Sequence, residues 1–459
     1  MSTTAPLGVT HQQRAYELER APLARRAAVR EWKGPLALAM LLAGGLVLSV
    51  SAASTDALLP QSVRPIPDQL AGMFGSSGLD LHAGGVMAAL GVMYIAYVFA
   101  VRRAERLSPK AVLMCVAALQ ALMLLAPPLL STDIFSYGAY GRMGALYGAN
   151  PYLHGPYAIS LDPVYPFIGA KWVTTPSVYG PLFTAISYVF APLSIAASVL
   201  TYKAIAALSG LVLVAGVWNA ARWRGVNPVR AVTLVALNPL LLVYGLGGAH
   251  NDLLMLAAST AGVYAILQRR HRTGGGLLAA ATWIKLTGAL LVPFALMGTR
   301  ERAGGKREIA IGAAAVTFVV AIASFALFGT GPLHLPATIA QSQGEGDWHS
   351  IPGFLANGLG WTTVGHVVGI VLACAFAIVC VWLLLRVRRG TLDWLDGAGW
   401  ATLAMLVTAS SLLPWYIAWL LPLAAISADG RLRRSALIAS GVIMAIQLIG
   451  YIPHVTATP

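Results

Sequence analysis

The chain has 459 residues, 58% of them hydrophobic and only 10% charged, and its mean hydropathy is +0.72. A soluble domain of this size could not solvate such a surface, so composition excludes a water-soluble enzyme and leaves an all-α, polytopic membrane protein. The net charge of +14 is not a nucleic-acid signature, because Arg and Lys fall in short clusters between apolar runs, as cytoplasmic loops demand.

Residues 1–33 read as a cytoplasmic tail held inside by Arg14, Arg20, Arg25, Arg26, Arg30 and Lys33, not as a cleavable signal peptide. A span needs roughly 20 apolar residues. Two accessory spans are expected over 34–110, with an acidic loop outside and Arg102, Arg103, Arg106 and Lys110 inside. The run 111–130 then comes out again and delivers Asp133 to the external side. Residues 111–459 read as the catalytic module, with external loops at about 131–201 and 329–360. Charge placement at Arg222, Arg224 and Arg230 favours one true span from Tyr202 inward. The run 182–200, broken at Pro192, then reads as a juxtamembrane or re-entrant helix. The run 274–297 has basic residues on both flanks and Lys285 at its middle, which predicts two half-helices meeting there, the alternative being one full span. A hairpin around Pro414 and a last span from Ser435 complete about 11–13 membrane helices. Cys115, Cys374 and Cys380 lie inside apolar runs and read as unpaired thiols.

External polar groups are few, so each can be weighed. Asp133 stands closest to the membrane surface, among Tyr137, Tyr140 and Tyr152, with Arg142 nine residues on and Asn150-Pro151-Tyr152 beyond. A carboxylate accepts a proton, an arginine holds an anion such as phosphate, and aromatic faces suit sugar rings. At a membrane surface this mixture suggests a lipid-linked, phosphate-bearing sugar. Alternatively Asp133 is a helix-terminal acid facing water, and the aromatics are an interfacial belt. His250-Asn251-Asp252 either caps a helix or contacts a sugar hydroxyl or phosphate. Lys285 in an apolar run needs a partner, a phosphate or an aspartate. Trp415 and Tyr416 beside Pro414 are placed to position a lipid or an acceptor chain. Asp347 and His349 could bind a metal but define no third ligand. There is no GxGxxG, P-loop or HExxH, so no cofactor and no metal is expected, and a divalent cation lacks support.

The segments Thr132-Asp133-Ile134-Phe135-Ser136-Tyr137, Asn150-Pro151-Tyr152, Ser177-Val178-Tyr179-Gly180-Pro181-Leu182, Asn238-Pro239-Leu240, His250-Asn251-Asp252, Lys285 and Leu413-Pro414-Trp415-Tyr416 occur in an order that resembles the GT-C fold glycosyltransferases. Among them the chain is most similar to the actinobacterial polyprenyl-phosphate-mannose-dependent α-1,6-mannosyltransferases of the lipomannan and lipoarabinomannan core. The likeness runs from about residue 110 to 425. It implies an inverting enzyme of the plasma membrane with its site on the external face. The implied partners are a polyprenyl-phosphate-mannose donor, a lipid-linked mannan acceptor and membrane lipid. It implies Asp133 as general base. Arg142, Lys285 and His250 are then expected at the donor phosphate. Tyr137, Asn150, Tyr152, Tyr179, Asn251, Asp252, Asp347, His349, Trp415 and Tyr416 are expected at the sugar and acceptor. A transporter of polyprenyl lipids or solutes is the alternative; it would tend to show two related halves with ionisable residues at mid-bilayer.

Overall fold

The computed structural model of the protein describes residues 32–299, 304–344 and 348–452. The tail expected over 1–33 therefore lies outside the described residues except at its end, and Asp347 lies outside them too. Among the described residues the regular elements are all helices.

Helices α1 (Lys33–Ser51) and α2 (His82–Arg103) pack against each other, and α1 also packs on α3 (Pro109–Leu125). The loop between α1 and α2 folds over the end of α3. Met73 N–H donates to Leu125 O at 2.8 Å and Leu130 N–H to Leu58 O at 3.0 Å. Pro127-Pro128 stops α3, since proline has no N–H to continue the helix and biases the residue before it toward extended backbone. The chain restarts as α4 (Asp133–Tyr147), which ends on Gly148 at φ 66°, a left-handed position suited to glycine.

After a run of short turns come α5 (Pro181–Phe190) and α6 (Ile195–Trp223). The break between them falls at Pro192 as expected. However, α6 begins at Ile195 rather than Tyr202, because Ser194 caps it by accepting from Ala197 N–H at 3.3 Å. Next, α7 (Pro228–Ala236) bends by 51° into a π-helical turn, Leu240–Leu246. The bend lies at Asn238-Pro239, where the Asn238 amide donates to Ser440 Oγ at 2.7 Å and its carbonyl accepts from Leu240 N–H at 2.9 Å. Helices α8 (Asp252–Leu267), α9 (His271–Ile284) and α10 (Leu291–Gly298) follow. The run 274–297 is thus two half-helices. They meet at Lys285, which is extended at φ −152°, ψ 128° and is followed by a short 3-10 stretch.

The remaining helices are α11 (Gly305–Phe328), α12 (Leu335–Gly344), α13 (Thr362–Arg389), α14 (Trp394–Thr408), α15 (Ile417–Ile426) and α16 (Gly430–Ile449). Six helices, α1, α2, α6, α11, α13 and α16, are long and apolar enough to cross a membrane, and α7 with its bent continuation gives a seventh. Other apolar runs read as spans are cut short by the breaks just described, and among the described residues they form helices of 10–17 residues. The long helices differ in burial: 56% of the apolar window of α6 is buried in the protein, against 6% for α13. Helix α6 is thus the central post, packed on α3, α4, α7 and α8.

Candidate active site

The side chains that converge around Asp133 all stand where a helix is interrupted. Asp133 follows the Pro127-Pro128 stop, His250 follows the π-helical turn, Lys285 is the extended residue between α9 and α10, and Trp415 lies in the 3-10 turn Pro414–Tyr416. Interruption leaves backbone and side chains free to face inward, at the ends of helices that are otherwise apolar.

His250 Nδ1 approaches Asp133 Oδ2 at 3.2 Å, a close polar contact rather than a well-aligned hydrogen bond. The His250 ring is fully buried and stacks on Trp415, with centroids 3.6 Å apart and planes at 20°. Two positions on, the buried Asp252 carboxylate accepts from Lys285 Nζ at 2.8 and 2.7 Å and from Trp419 Nε1 at 2.6 Å. Lys285 Nζ also lies 5.5 Å from the ring centres of both Tyr416 and Trp419, which stack on each other. An ammonium over two ring faces is held by their quadrupoles as well as by its carboxylate. Lys285 was expected to need a phosphate or an aspartate as partner, and Asp252 is that aspartate. Asp252 therefore does not cap α8 with its side chain.

The Tyr179-Gly180 segment closes the cluster from the side. Gly180 N–H donates to Ile284 O at 3.0 Å, and a Cβ on Gly180 would sit 2.1 Å from Trp283 O, so only glycine allows this approach to the Lys285 break. Tyr179 bonds to Asp133 through its hydroxyl. Burial and then the Asp133 charge push the Tyr179 phenol well above its ordinary value, so it remains a donor. Burial alone would raise the Asp133 carboxyl. The His250 imidazole, the Lys285 ammonium and the Tyr179 hydroxyl outweigh it and hold the group below the usual carboxylate value. Asp133 is therefore an anion at neutral pH, and its side chain remains 17% exposed, so a hydroxyl can reach it.

Tyr137 lies behind the cluster, where its buried hydroxyl accepts from Asn251 N–H at 3.1 Å. The Asn251 amide, His250 Nε2 and Trp415 Nε1 are buried with no hydrogen-bond partner among the described residues. Buried polar groups are almost always satisfied, so this concentration around one carboxylate marks a place built to meet polar groups of something else.

Other expected residues go elsewhere. Arg142 is not brought to the Asp133 cluster. Its guanidinium grips the buried Asp162 carboxylate at 2.8 and 2.9 Å and the carbonyl of Ala191 at 2.7 Å, while Tyr147 donates to Asp162 at 2.8 Å. It stands nine residues along α4, roughly 13 Å of helix rise from Asp133. Asn150 braces the loop to the end of α11, its amide donating to Phe328 O at 2.7 Å. Tyr152 is buried and donates to Tyr179 O at 2.8 Å, so it holds the Tyr179 segment from below. His349 lies against Trp348, with centroids 4.2 Å apart. Trp419 is not singled out by the sequence; it stacks on Tyr416, three residues before it, with centroids 4.0 Å apart. Among the described residues no group of three His, Cys, Asp or Glu side chains gathers as a metal site.

Residues 33–300 match the family model described as alpha-(1->6)-mannopyranosyltransferase, N-terminal domain. The chain belongs to this family. Residues 349–449 match the model described as the MptB C-terminal domain. The chain is 32% identical to alpha-(1->6)-mannopyranosyltransferase A of Mycobacterium tuberculosis over 67% of its own length and 64% of that protein. A second alpha-(1->6)-mannopyranosyltransferase of the same organism is 28% identical, over 70% of this chain and 66% of its own. Alpha-(1->6)-mannopyranosyltransferase B of Corynebacterium glutamicum is 27% identical, over 83% and 71%. The matches thus span a little under two thirds of the first two relatives. No solved structure matches the chain. The N-terminal match begins at residue 33, so it takes in α1 and α2 together with Asp133, His250, Asp252 and Lys285.

Proposed function

We propose that the protein is an inverting α-1,6-mannosyltransferase of the plasma membrane, working at the external face. Its donor is a polyprenyl-phosphate mannose and its acceptor the 6-hydroxyl of a lipid-anchored α-1,6-mannan. The observation that carries this reading is the pairing of an accessible carboxylate, Asp133, with a lysine held over two aromatic faces, inside a family of mannosyltransferases. The acceptor oxygen bonds to the anomeric carbon as that carbon's bond to the phosphate oxygen breaks. The hydroxyl proton passes to Asp133, and the bonding pair leaves with the polyprenyl phosphate. This leaving group needs no acid; it needs a cation. Lys285 has three N–H bonds, and Asp252 fixes the ammonium while leaving it able to donate to the phosphate. Asn251, His250 Nε2 and the Trp415 indole supply partners for sugar hydroxyls.

A groove of about 530 Å³ supports the lipid side of the proposal. It is lined by Pro181, Trp283, Leu286, Phe325 and Leu333 among others. Trp283 and Leu286 flank Lys285 in the chain, so the groove runs up to the break between α9 and α10. The test is transfer by purified protein from polyprenyl-phosphate mannose to a short synthetic α-1,6-mannan. A product with a new α-1,6 linkage is expected. Transfer from no polyprenyl-phosphate sugar at all would overturn the reading.

A further inference from the structure

Lys203 lies in α6 and is 2% exposed, in the interior of a helix long and apolar enough to cross a membrane. A buried ammonium there is costly and is retained where it serves a purpose. Its Nζ donates to Pro127 O at 3.0 Å and to Gly247 O at 3.3 Å. Both carbonyls belong to helix interruptions, one after α3 and one after the π-helical turn. The same two segments are also joined directly, Leu129 N–H donating to Gly247 O at 3.1 Å. Each then contains a non-glycine residue in the left-handed region, Leu130 at φ 58° and Ala249 at φ 54°. Such residues cost energy and persist only where surrounding contacts fix them. Leu130 is three residues before Asp133, and Ala249 immediately precedes His250.

We propose that Lys203 is a positioning residue. Its side-chain nitrogen clamps the two interrupted segments together and holds their left-handed turns, and this sets the approach of His250 to Asp133. The proposal rests on the reading of Asp133 as the base, with His250 beside it. Lys203 touches neither of them, so it acts through backbone alone.

The test uses the full chain in nanodiscs, with Lys203→Met, Ala249→Gly and the double variant. Glycine adopts the left-handed conformation without penalty, so it relieves the turn that the clamp restrains. In Lys203→Met, kcat should fall on the order of 10- to 100-fold, the loss expected from a small misplacement of reacting groups, with KM for the donor little changed. Adding Ala249→Gly should restore part of kcat. In thermal unfolding, the glycine should help the Lys203→Met chain more than it helps the unsubstituted chain, a non-additive pair of Tm shifts. Additive Tm shifts overturn the clamp, and this arm needs no activity. A lowered Tm with unchanged kcat in the folded fraction overturns the positioning role. Absence of transfer by the unsubstituted chain would count against the proposed activity, and the Tm arm would still decide the clamp.

Discussion

Two clusters in the region after α3 use the same ingredients and come out differently. Around Asp162, a carboxylate, an arginine and a tyrosine saturate one another, with carbonyls taking up more of the guanidinium. Around Asp133, a carboxylate, a histidine, a lysine and a belt of aromatics assemble, yet His250 Nε2, the Asn251 amide and Trp415 Nε1 have no partner among the described residues. The first cluster is closed and ties α4 to the turn before α6. The second is open only in that these buried polar atoms are left without a hydrogen-bond partner among the described residues, while its own Lys285–Asp252 pair is satisfied. Residue type therefore does not separate a structural ion pair from a reactive site; satisfaction does.

The sharpest way to break this contrast is at Asp133. Asp133→Asn preserves shape and removes the base, so transfer should fall by about 10²- to 10⁴-fold while donor binding persists. Turnover close to that of the unsubstituted chain, measured with saturating donor and acceptor, would remove Asp133 from the chemistry. The next largest effect belongs to Lys285. Lys285→Met removes the cation proposed for the leaving phosphate and also leaves the buried Asp252 without its cation, so Tm should fall, and kcat of the folded fraction should drop by about 10²- to 10³-fold. A change confined to KM would mean that the lysine binds substrate without stabilising the departing charge.

Much of this was legible in the sequence, and the misses have physical reasons. Asp133, His250, Lys285 and Pro414 announce themselves because each interrupts an apolar run, and interruption is a local property. The half-helices at Lys285 followed from basic residues on both flanks. Arg142 lies apart from the Asp133 cluster because its partner is Asp162, twenty residues on, and no spacing rule predicts that a loop will fold back to meet a helix. Lys203 was overlooked although it carries the same signal as Lys285, a lone lysine in an apolar run. No break marks it, since α6 runs straight through. The contact of α1 and α2 with the site is not marked in the sequence either: the loop between them supplies Leu58 O to Leu130 N–H, three residues before Asp133.

The pH dependence gives a subtler test of the open cluster. As the proposed base Asp133 would work as the anion, so kcat/KM should fall as pH drops through its pKa, and that acid limb should lie below the usual carboxylate range. His250→Gln removes a group that favours the anion and leaves burial less opposed. The limb should therefore move to higher pH, as read from kcat/KM between acid and neutral pH. An unmoved limb would mean that Lys285 and Tyr179 alone hold the carboxylate.

The closed cluster makes the opposite prediction. Arg142→Met leaves the Asp162 carboxylate buried without its cation, and losing one partner of such a pair costs about 3–5 kcal/mol. The side chains are 15% and 0% exposed, so solvent screens little of this. Thermal unfolding should register the loss, while kcat of the folded fraction stays close to that of the unsubstituted chain. If Arg142→Met instead reduced kcat as Lys285→Met does, with Tm intact, the arginine would belong to the site after all. The contrast between a satisfied and an unsatisfied cluster would then fail as a guide to where this protein does its chemistry.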